Sequence, residues 1–198
     1  MKISKGWIIL IVIVVIIILL FSWGTGIYNK LVSREETVNQ QWANVENVYQ
    51  RRADLVPNLV ATVKGVANFE QKTLTDVIEA RAKATSVQIN PKNLDEASLQ
   101  KFQAAQDNLT SSLARLMVVV EQYPQLKATQ NFMELQAQLE GTENRISVER
   151  MKFNEVAQSY NTYLRSFPSN IFAGIFGFQK KAYFQAMEGA NKAPQVQF

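Results

Sequence analysis

Residues 7–21 read WIILIVIVVIIILLF, an unbroken run of apolar side chains, and no charged residue occurs between Lys5 and Lys30. A helix over that charge-free stretch is about 36 Å long at roughly 1.5 Å per residue, enough to cross a hydrocarbon core of about 30 Å. Aromatic side chains, which favour the two interfaces of a membrane, stand at both ends of the run. We therefore predict that residues 1–27 form a short tail and a single transmembrane helix, and that four residues mark its ends as the membrane anchor: Trp7, Phe21, Trp23 and Tyr28.

A cleaved signal peptide is the alternative for this segment. The apolar region of a signal peptide is usually shorter, about 7–15 residues, and is followed by a cleavage site made of small residues. The small residues Gly24-Thr25-Gly26 keep that alternative open, whereas Trp23 and the helix-forming sequence that follows favour a retained anchor. A lipoprotein signal is excluded because the chain has no cysteine to acylate.

The orientation of the anchor is weakly specified. Lys2 and Lys5 precede the span, and Lys30 and Arg34 follow it, so the positive-inside rule gives a tie. The absence of cysteine leans toward an exported domain. We expect a single-pass protein of the bacterial cytoplasmic (inner) membrane, with the rest of the chain on its non-cytoplasmic side.

The composition removes many common chemistries. The chain has no Cys and no His, which excludes thiol nucleophiles, disulfides, structural zinc and Ser–His–Asp triads. Its 21 basic residues are not clustered on one face, so a nucleic-acid footprint is not expected. Only 8 Gly and 5 Pro in 198 residues favour long helices over a turn-rich β fold. No cofactor and no small-molecule substrate are indicated.

Prolines divide the chain after the anchor into four stretches with helical periodicity. Their apolar residues recur at steps of three or four, as expected for helices with one buried face. Short connections make sequential helices antiparallel neighbours. We predict an all-α fold in which residues 28–166 form an antiparallel four-helix bundle. The apolar positions of the four stretches are Leu31, Val38, Trp42, Val45 and Tyr49; Leu55, Leu59, Val63, Val66 and Val77; Phe102, Leu109, Leu113, Leu116 and Val120; and Phe132, Leu135, Leu139, Ile146, Phe153, Val156, Tyr160 and Leu164.

Pro57 leaves two interpretations open. Asp54 can cap a new helix whose first turn contains Pro57, where the missing N–H costs nothing. Alternatively, residues from Tyr28 to about Ala84 form one long helix that is kinked at Pro57. We favour the turn, because the kinked helix would outrun its partners by several turns.

Five charged residues fall within about 40° of the centre of an apolar face, where a lone charge would be prohibitive. They are the candidate buried ion pairs Arg52, Glu70, Arg81, Glu143 and Arg150. In an up-down-up-down bundle, Glu70 and Arg150 lie at similar heights above the membrane, and we predict an ion pair between them. The alternative is that these long side chains lie at the edge of the apolar face and reach water.

The segment 167–198 begins with an unusual density of aromatic residues, since five of the 11 Phe lie between positions 167 and 184. Ser169 or Asn170 can cap a short helix there. It is too short to span a membrane, but it can lie at a membrane interface or bind a partner. Alternatively, it is a lid on the open end of the bundle. The candidate interaction or membrane-facing residues are Phe167, Ile171, Phe172, Ile175, Phe176, Phe178, Lys180 and Lys181.

Several blocks of sequence, taken in order, resemble the LemA family. They are Tyr28-Asn29-x-Leu31-Val32, Arg52-Ala53-Asp54-Leu55-Val56-Pro57-Asn58-Leu59-Val60, Glu121-x-Tyr123-Pro124-x-Leu126-Lys127, Leu139-Glu140-Gly141-Thr142-Glu143-Asn144-Arg145-Ile146, Tyr160-Asn161, Ser166-Phe167-Pro168-Ser169-Asn170 and Gly174-Ile175-Phe176-Gly177-Phe178. The resemblance implies a membrane-anchored helical bundle. It implies no agreed enzymatic activity and no catalytic residues.

These observations favour a non-enzymatic, membrane-anchored interaction or scaffold protein of the bacterial envelope. Its expected partners are the lipid bilayer, further copies of the chain and other membrane proteins. An adaptor for a membrane protease or insertase differs only in its partner. A metal-dependent enzyme is the third hypothesis, and it would use bundle carboxylates such as Glu121, Glu140 and Glu143 around a hard metal.

Overall fold

The computed structural model describes residues 5–65 and 70–185, and the regular elements in this part of the chain are helices, without a β-strand. Six α-helices follow one another, and a single 3₁₀ turn lies between the second and the third. Their bounds are α1 Lys5–Lys64, α2 Gln71–Ser86, the turn Pro91–Asn93, α3 Glu96–Val120, α4 Pro124–Lys127, α5 Gln130–Arg165 and α6 Ser169–Phe176. The all-α fold with one long apolar N-terminal helix is confirmed.

The first helix joins the predicted anchor to the bundle without a break. It contains 60 residues, which at about 1.5 Å per residue makes it roughly 90 Å long. Residues 7–21, including Trp7 and Phe21, are exposed on all sides. Buried positions begin at Gly24 and Ile27, so the change from lipid-compatible surface to packed surface falls within one continuous helix. The segment satisfies the length and hydropathy of a membrane span.

The predicted turn at Pro57 is wrong. Pro57 lies inside α1 on an exposed face, and α1 ends at Lys64 rather than continuing to Ala84. A proline inside a helix costs about 3 kcal/mol because it removes one backbone hydrogen bond and crowds the preceding turn. Val56, Leu59 and Val63 are fully buried on either side of it. Burial of each such side chain stabilises by about 1.5–3 kcal/mol, so packing outweighs the cost of the proline.

The carbonyl that Pro57 leaves without an intrahelical partner belongs to Ala53, four residues earlier. Arg81 Nε on α2 donates to this oxygen across 2.7 Å. Arg81 was predicted to take part in a buried ion pair, and its guanidinium instead supplies the hydrogen bond that the proline cannot make. A side chain of α2 thus satisfies the backbone carbonyl that lacks a hydrogen bond within α1.

The four long helices alternate in direction. Contacts of α1 with α5 run from Arg34–Ser159 to Arg52–Glu143, so the two helices are antiparallel. The distal core, at the end away from the apolar span, receives side chains from all four helices. Val66 of the predicted second apolar face lies outside the described residues. The distal core includes Val56, Leu59, Val63, Leu74, Val77, Leu109, Leu113, Leu116, Val120, Leu126, Phe132 and Leu139.

The proximal core, nearer the span, is built differently because α2 is only 16 residues long. There α1 and α5 are covered by the connection after α2 and by residues 179–185, which we call the C-terminal strap. Phe184 of the strap stacks on Trp42 and meets Phe153 edge to face. The strap therefore completes a core that the short α2 leaves open. Other members are Val38, Val45, Tyr49, Leu94, Leu99, Phe102, Ile146 and Tyr160.

The bond from Arg81 to Ala53 gives a double-mutant test. Arg81→Met should lower the free energy of unfolding by about 1.5 kcal/mol, the usual contribution of a hydrogen bond from a charged donor. In a Pro57→Ala background the same substitution should cost clearly less, because the N–H of residue 57 then bonds to the Ala53 carbonyl. Chemical denaturation of the four variants measures this coupling. Strictly additive costs would contradict the repair.

Candidate membrane-interface site

α6 lies against the part of α1 where the apolar span ends. Its inner face places Phe172 edge-on to Trp23, with ring centroids 6.3 Å apart. Phe176 and Phe178 pack on Tyr28 at 4.8 and 5.8 Å. Two of the four predicted anchor residues, Trp23 and Tyr28, are thus the platform on which α6 rests.

Two glycines allow this arrangement. A β-carbon at Gly24 would lie 2.9 Å from the ring of Phe172, so glycine permits the close approach of α6 to α1. Gly177 follows α6 with φ of +76°, a left-handed conformation that glycine adopts without strain. The chain reverses there and enters the C-terminal strap.

The outer face of α6 is apolar and exposed. On this face Ile175 is 71% exposed and Ile171 is also exposed, and Phe167, which lies just before the helix, is 80% exposed. This surface belongs to a helix that packs on Trp23, at the end of the apolar span. α6 therefore has both features that the sequence left as alternatives, since its inner face covers the base of the bundle and its outer face remains apolar.

The strap is held by side chains that bond its backbone in pairs. The Asn161 amide donates to the carbonyl of Lys181 and accepts from its N–H, at 2.8 and 2.9 Å. The Asn154 amide does the same for Phe184, at 3.0 and 2.9 Å. Tyr160 Oη donates to the carbonyl of Gln179. Side chains of α5 thus satisfy much of the polar backbone of the strap, and the Ala182 N–H donates to the carbonyl of Leu94 at 2.9 Å.

Lys181 was expected to face a membrane or a partner, and this prediction is wrong. Its side chain is only 1% exposed and forms an ion pair of 2.8 Å with Glu35, which is 25% exposed. The ammonium also lies 5.9 Å from the Tyr160 ring centre. Burial raises the pKa of Tyr160, and the negative charge of Glu35 adds to the shift. The neighbouring Lys180, which carries the same prediction, is exposed.

Arg52 and Glu143, two of the predicted buried charges, form an ion pair of 2.9 Å. Arg52 is 2% exposed and also donates to Thr110 Oγ1 and to Gln106 Oε1, both at 2.7 Å. Gln106 in turn donates to the carbonyl of Ala84. The network links α1, α2, α3 and α5 and gives both terminal nitrogens of the Arg52 guanidinium neutral or charged partners. Gln106 was not predicted, because a glutamine followed by Asp107 and Asn108 looks like a surface position.

The predicted ion pair between Glu70 and Arg150 does not form. Glu70 immediately precedes α2 at the distal end and accepts from Thr73. Arg150 donates to the carbonyl of Gln185 at 2.8 Å and lies over the Phe184 ring. The prediction placed the start of α2 near Pro57, so it set Glu70 several turns too low in the bundle.

Ionisable side chains near the Arg52 network are shifted by burial. Burial raises the pKa of the Asp107 carboxyl, and the nearby Arg150 and Arg52 act against this shift. The folded protein therefore holds this proton more tightly than the unfolded chain does, and the group favours the folded state as the pH falls. Burial likewise raises the pKa of Tyr49.

The carboxylates proposed for a metal enzyme do not converge. Glu121 pairs with Lys127, Glu140 accepts from Gln136, and Glu143 is bound by Arg52. Within residues 5–65 and 70–185, no three acidic side chains lie close enough together to hold a metal ion. Glu121 and Glu140 therefore bond to neighbours on their own surfaces, and Glu143 belongs to the Arg52 network.

The fold defines a class of protein in which one long helix carries an apolar membrane-compatible segment and then becomes part of a helical bundle. The model of the LemA family matches residues 41–198, which is more than half of the chain. The chain belongs to the LemA family, and the resemblance seen in its sequence blocks is confirmed.

Curated relatives carry two names. Magnetosome protein MamQ 2 of Paramagnetospirillum magneticum is 27% identical over 80% of this chain, and MamQ of Magnetospirillum gryphiswaldense is 26% identical over 79%. Protein LemA of Metamycoplasma hominis is 24% identical over 82% of the chain and 71% of its own length. The matches span 64% of the length of these MamQ proteins. The chain is therefore similar to a part of each of them.

The close approach at Gly24 can be tested with a matched pair of substitutions. Gly24→Ile should push α6 off α1, because the new side chain would occupy the place of the Phe172 ring. Gly26→Ile, two residues away with open space around its α-carbon, should leave α6 in place. Hydrogen exchange of residues 169–178 is the measurement, and faster exchange is expected in the Gly24 variant alone. Equal exchange in both variants would contradict the packing.

The Glu35–Lys181 pair predicts unequal costs for its two members. Glu35→Gln should destabilise by about 3 kcal/mol, because it removes the counter-charge of a fully buried ammonium. Lys181→Met should cost less, because the remaining Glu35 carboxylate reaches water and the methionine still fills the site. Thermal unfolding of both variants measures this order, with Lys180→Met as the exposed control. A larger loss for Lys181→Met would contradict the account of burial.

Proposed function

We propose that this protein is a membrane-anchored, non-enzymatic interaction module of the bacterial cytoplasmic membrane, with its bundle on the non-cytoplasmic side. In this role the span and α6 fix the base of the bundle at the bilayer surface. The bundle then presents its sides and distal end to other membrane proteins or to further copies of the chain.

The observation that carries the proposal is the packing of α6 on Trp23, Gly24 and Tyr28. On the opposite side of α6, Ile171 and Ile175 are exposed, and apolar area of this kind is uncommon on the surface of a soluble monomer. At the end of a membrane span it meets the interfacial region of the same bilayer, where apolar side chains are favoured. In this proposal the interfacial region of the bilayer covers the outer face of α6.

Continuity of α1 supports a mechanical part of the role. Between Tyr28 and Lys64 the helix extends about 55 Å at roughly 1.5 Å per residue. α5 and the strap pack on the part of this length nearest the span, so the bundle is rigid and projects from the membrane. Any partner bound near its distal end is held at a set distance from the membrane.

A non-enzymatic role agrees with the internal use of the charged side chains. Arg52, Glu143 and Lys181 all have partners within the bundle. We extend the scaffold role to self-association, because α3 and α5 expose apolar side chains at Val118 and Met151.

Photo-crosslinking of the full chain in its native membrane tests the proposal. A benzophenone amino acid is placed at one of two exposed positions, Val118 or Met151, and at the buried position Leu116 as the matched control. The exposed positions should give discrete adducts with membrane proteins, or with a second copy at twice the mass, while Leu116 should give none. Monomer alone at both exposed positions would overturn the interaction role.

A further inference from the structure

We propose that the groove between α1 and α5, directly above α6, binds the phosphate headgroup of an anionic phospholipid. This inference deepens the proposed function by naming a ligand for the membrane-facing base of the bundle. The groove has a volume of about 410 Å³, and its lining includes Arg34, Ser159, Thr162, Tyr163 and Ser166.

Two cations share one aromatic ring at this groove. Lys30 Nζ lies 5.3 Å from the centre of the Tyr163 ring, and the guanidinium carbon of Arg34 lies 4.9 Å from it. The two residues are one helical turn apart on α1, so their like charges repel. Within the part of the chain that the structure describes, neither cation pairs with a carboxylate. An anion between them would relieve the repulsion.

Hydroxyl groups complete the phosphate-binding character of the groove. Arg34 donates to the Ser159 side chain and carbonyl, which fixes the guanidinium against α5. Thr162 and Ser166 lie one and two turns further toward the membrane on the same face, and the Ser166 hydroxyl donates to the Thr162 carbonyl at 2.7 Å, which leaves the Thr162 hydroxyl to face the groove. Charge-assisted bonds from Arg, with added hydroxyl donors, are the usual means by which proteins hold phosphate oxygens.

The acidic residue in the groove lies at its far end. Glu155 belongs to the lining and stands seven residues, or about 10 Å of helix, before Thr162. Its charge therefore opposes an anion at the membrane-distal end of the groove and leaves the end near Lys30 positive. The positive end of the groove is therefore the end nearest the bilayer.

The depth of the groove matches the headgroup layer. Lys30 follows Trp23 by seven residues, or about 10 Å along α1, and interfacial tryptophans mark the edge of the hydrocarbon core. Polar headgroups occupy the next several ångströms beyond that edge. The cations therefore stand beside lipid phosphates when α1 spans the bilayer.

The membrane side of the groove leads onto an apolar surface. Ser166 lines the groove and Phe167, its neighbour in the chain, is 80% exposed. Ile171 and Ile175 continue this surface along α6. A phospholipid has the same division, with a charged phosphate above and acyl chains below. Two unpaired cations favour a lipid with net negative charge, such as phosphatidylglycerol, over a zwitterionic one.

Native mass spectrometry of the full detergent-solubilised chain tests the site with three probes: phosphatidylglycerol, phosphatidylcholine and inorganic phosphate. The wild-type chain should retain phosphatidylglycerol in preference to phosphatidylcholine and should not retain inorganic phosphate. Lys30→Gln with Arg34→Gln should reduce that preference roughly tenfold, since each cation near anionic headgroups contributes to binding. The matched control, Lys72→Gln with Lys101→Gln, removes two exposed cations elsewhere and should keep the preference.

A second variant avoids any loss of the Arg34 contacts. Ser166→Asp adds a negative charge at the membrane end of the groove and should lower phosphatidylglycerol binding, whereas Ser147→Asp on an exposed part of α5 should not. Equal effects of groove and control variants, or a wild-type chain without lipid preference, would overturn the site. Retention of inorganic phosphate equal to that of the lipid would overturn the lipid as its ligand. All variants should still resist extraction from membranes by alkaline carbonate, so failure of the lipid site is distinct from failure of the proposed function.

Discussion

The structure depends on the burial of one face of α1 from Gly24 onward, directly after a run of exposed residues that extends to Trp23. The same helix must therefore be compatible with lipid along one part of its length and with a protein core along the other. Lipid suits the run 7–21, because all backbone groups are bonded within the helix and the side chains are apolar. Protein covers the rest, through α5 along the whole bundle and through α6 and the strap at the base. Because no loop separates the two parts, the bundle follows the direction of the span.

Polar groups complete the fold where helix packing alone leaves a gap. Arg81 fills the hydrogen bond that Pro57 lacks, and Arg52 links four helices through Gln106 and Glu143. Lys181 carries a charge into the proximal core and meets Glu35 there. Each of these groups would destabilise the core if left alone, so each fixes the register of the element that brings its partner. The bundle is thereby specific in its pairing as well as apolar in its core.

The features that sequence predicted are those encoded within a few turns of helix. The span, the apolar faces of α1, α3 and α5, and the short helix at 169–176 follow from local periodicity and composition. The continuity of α1 through Pro57 does not, because burial at Val56 and Leu59 and a donor from α2 decide it. The strap has no periodic signal, and its position depends on Asn154 and Asn161 some 20 to 30 residues away. Consequently Lys181 looked like a surface cation, and only the tertiary structure places it in the core.

The account rests most directly on α6 lying in the membrane interface while it packs on the end of the span. The chain has no native cysteine, so a cysteine introduced at one position carries the only nitroxide label. One variant has the label at Ile175 on the outer face of α6, and the comparison variant has it at Val118 on the bundle. Electron paramagnetic resonance of the full chain in vesicles then compares collisions with oxygen and with a water-soluble nickel complex. The account predicts that the label at Ile175 meets oxygen and is shielded from nickel, whereas the label at Val118 is open to nickel. Equal access of nickel to both labels would show that α6 faces water and would contradict the account.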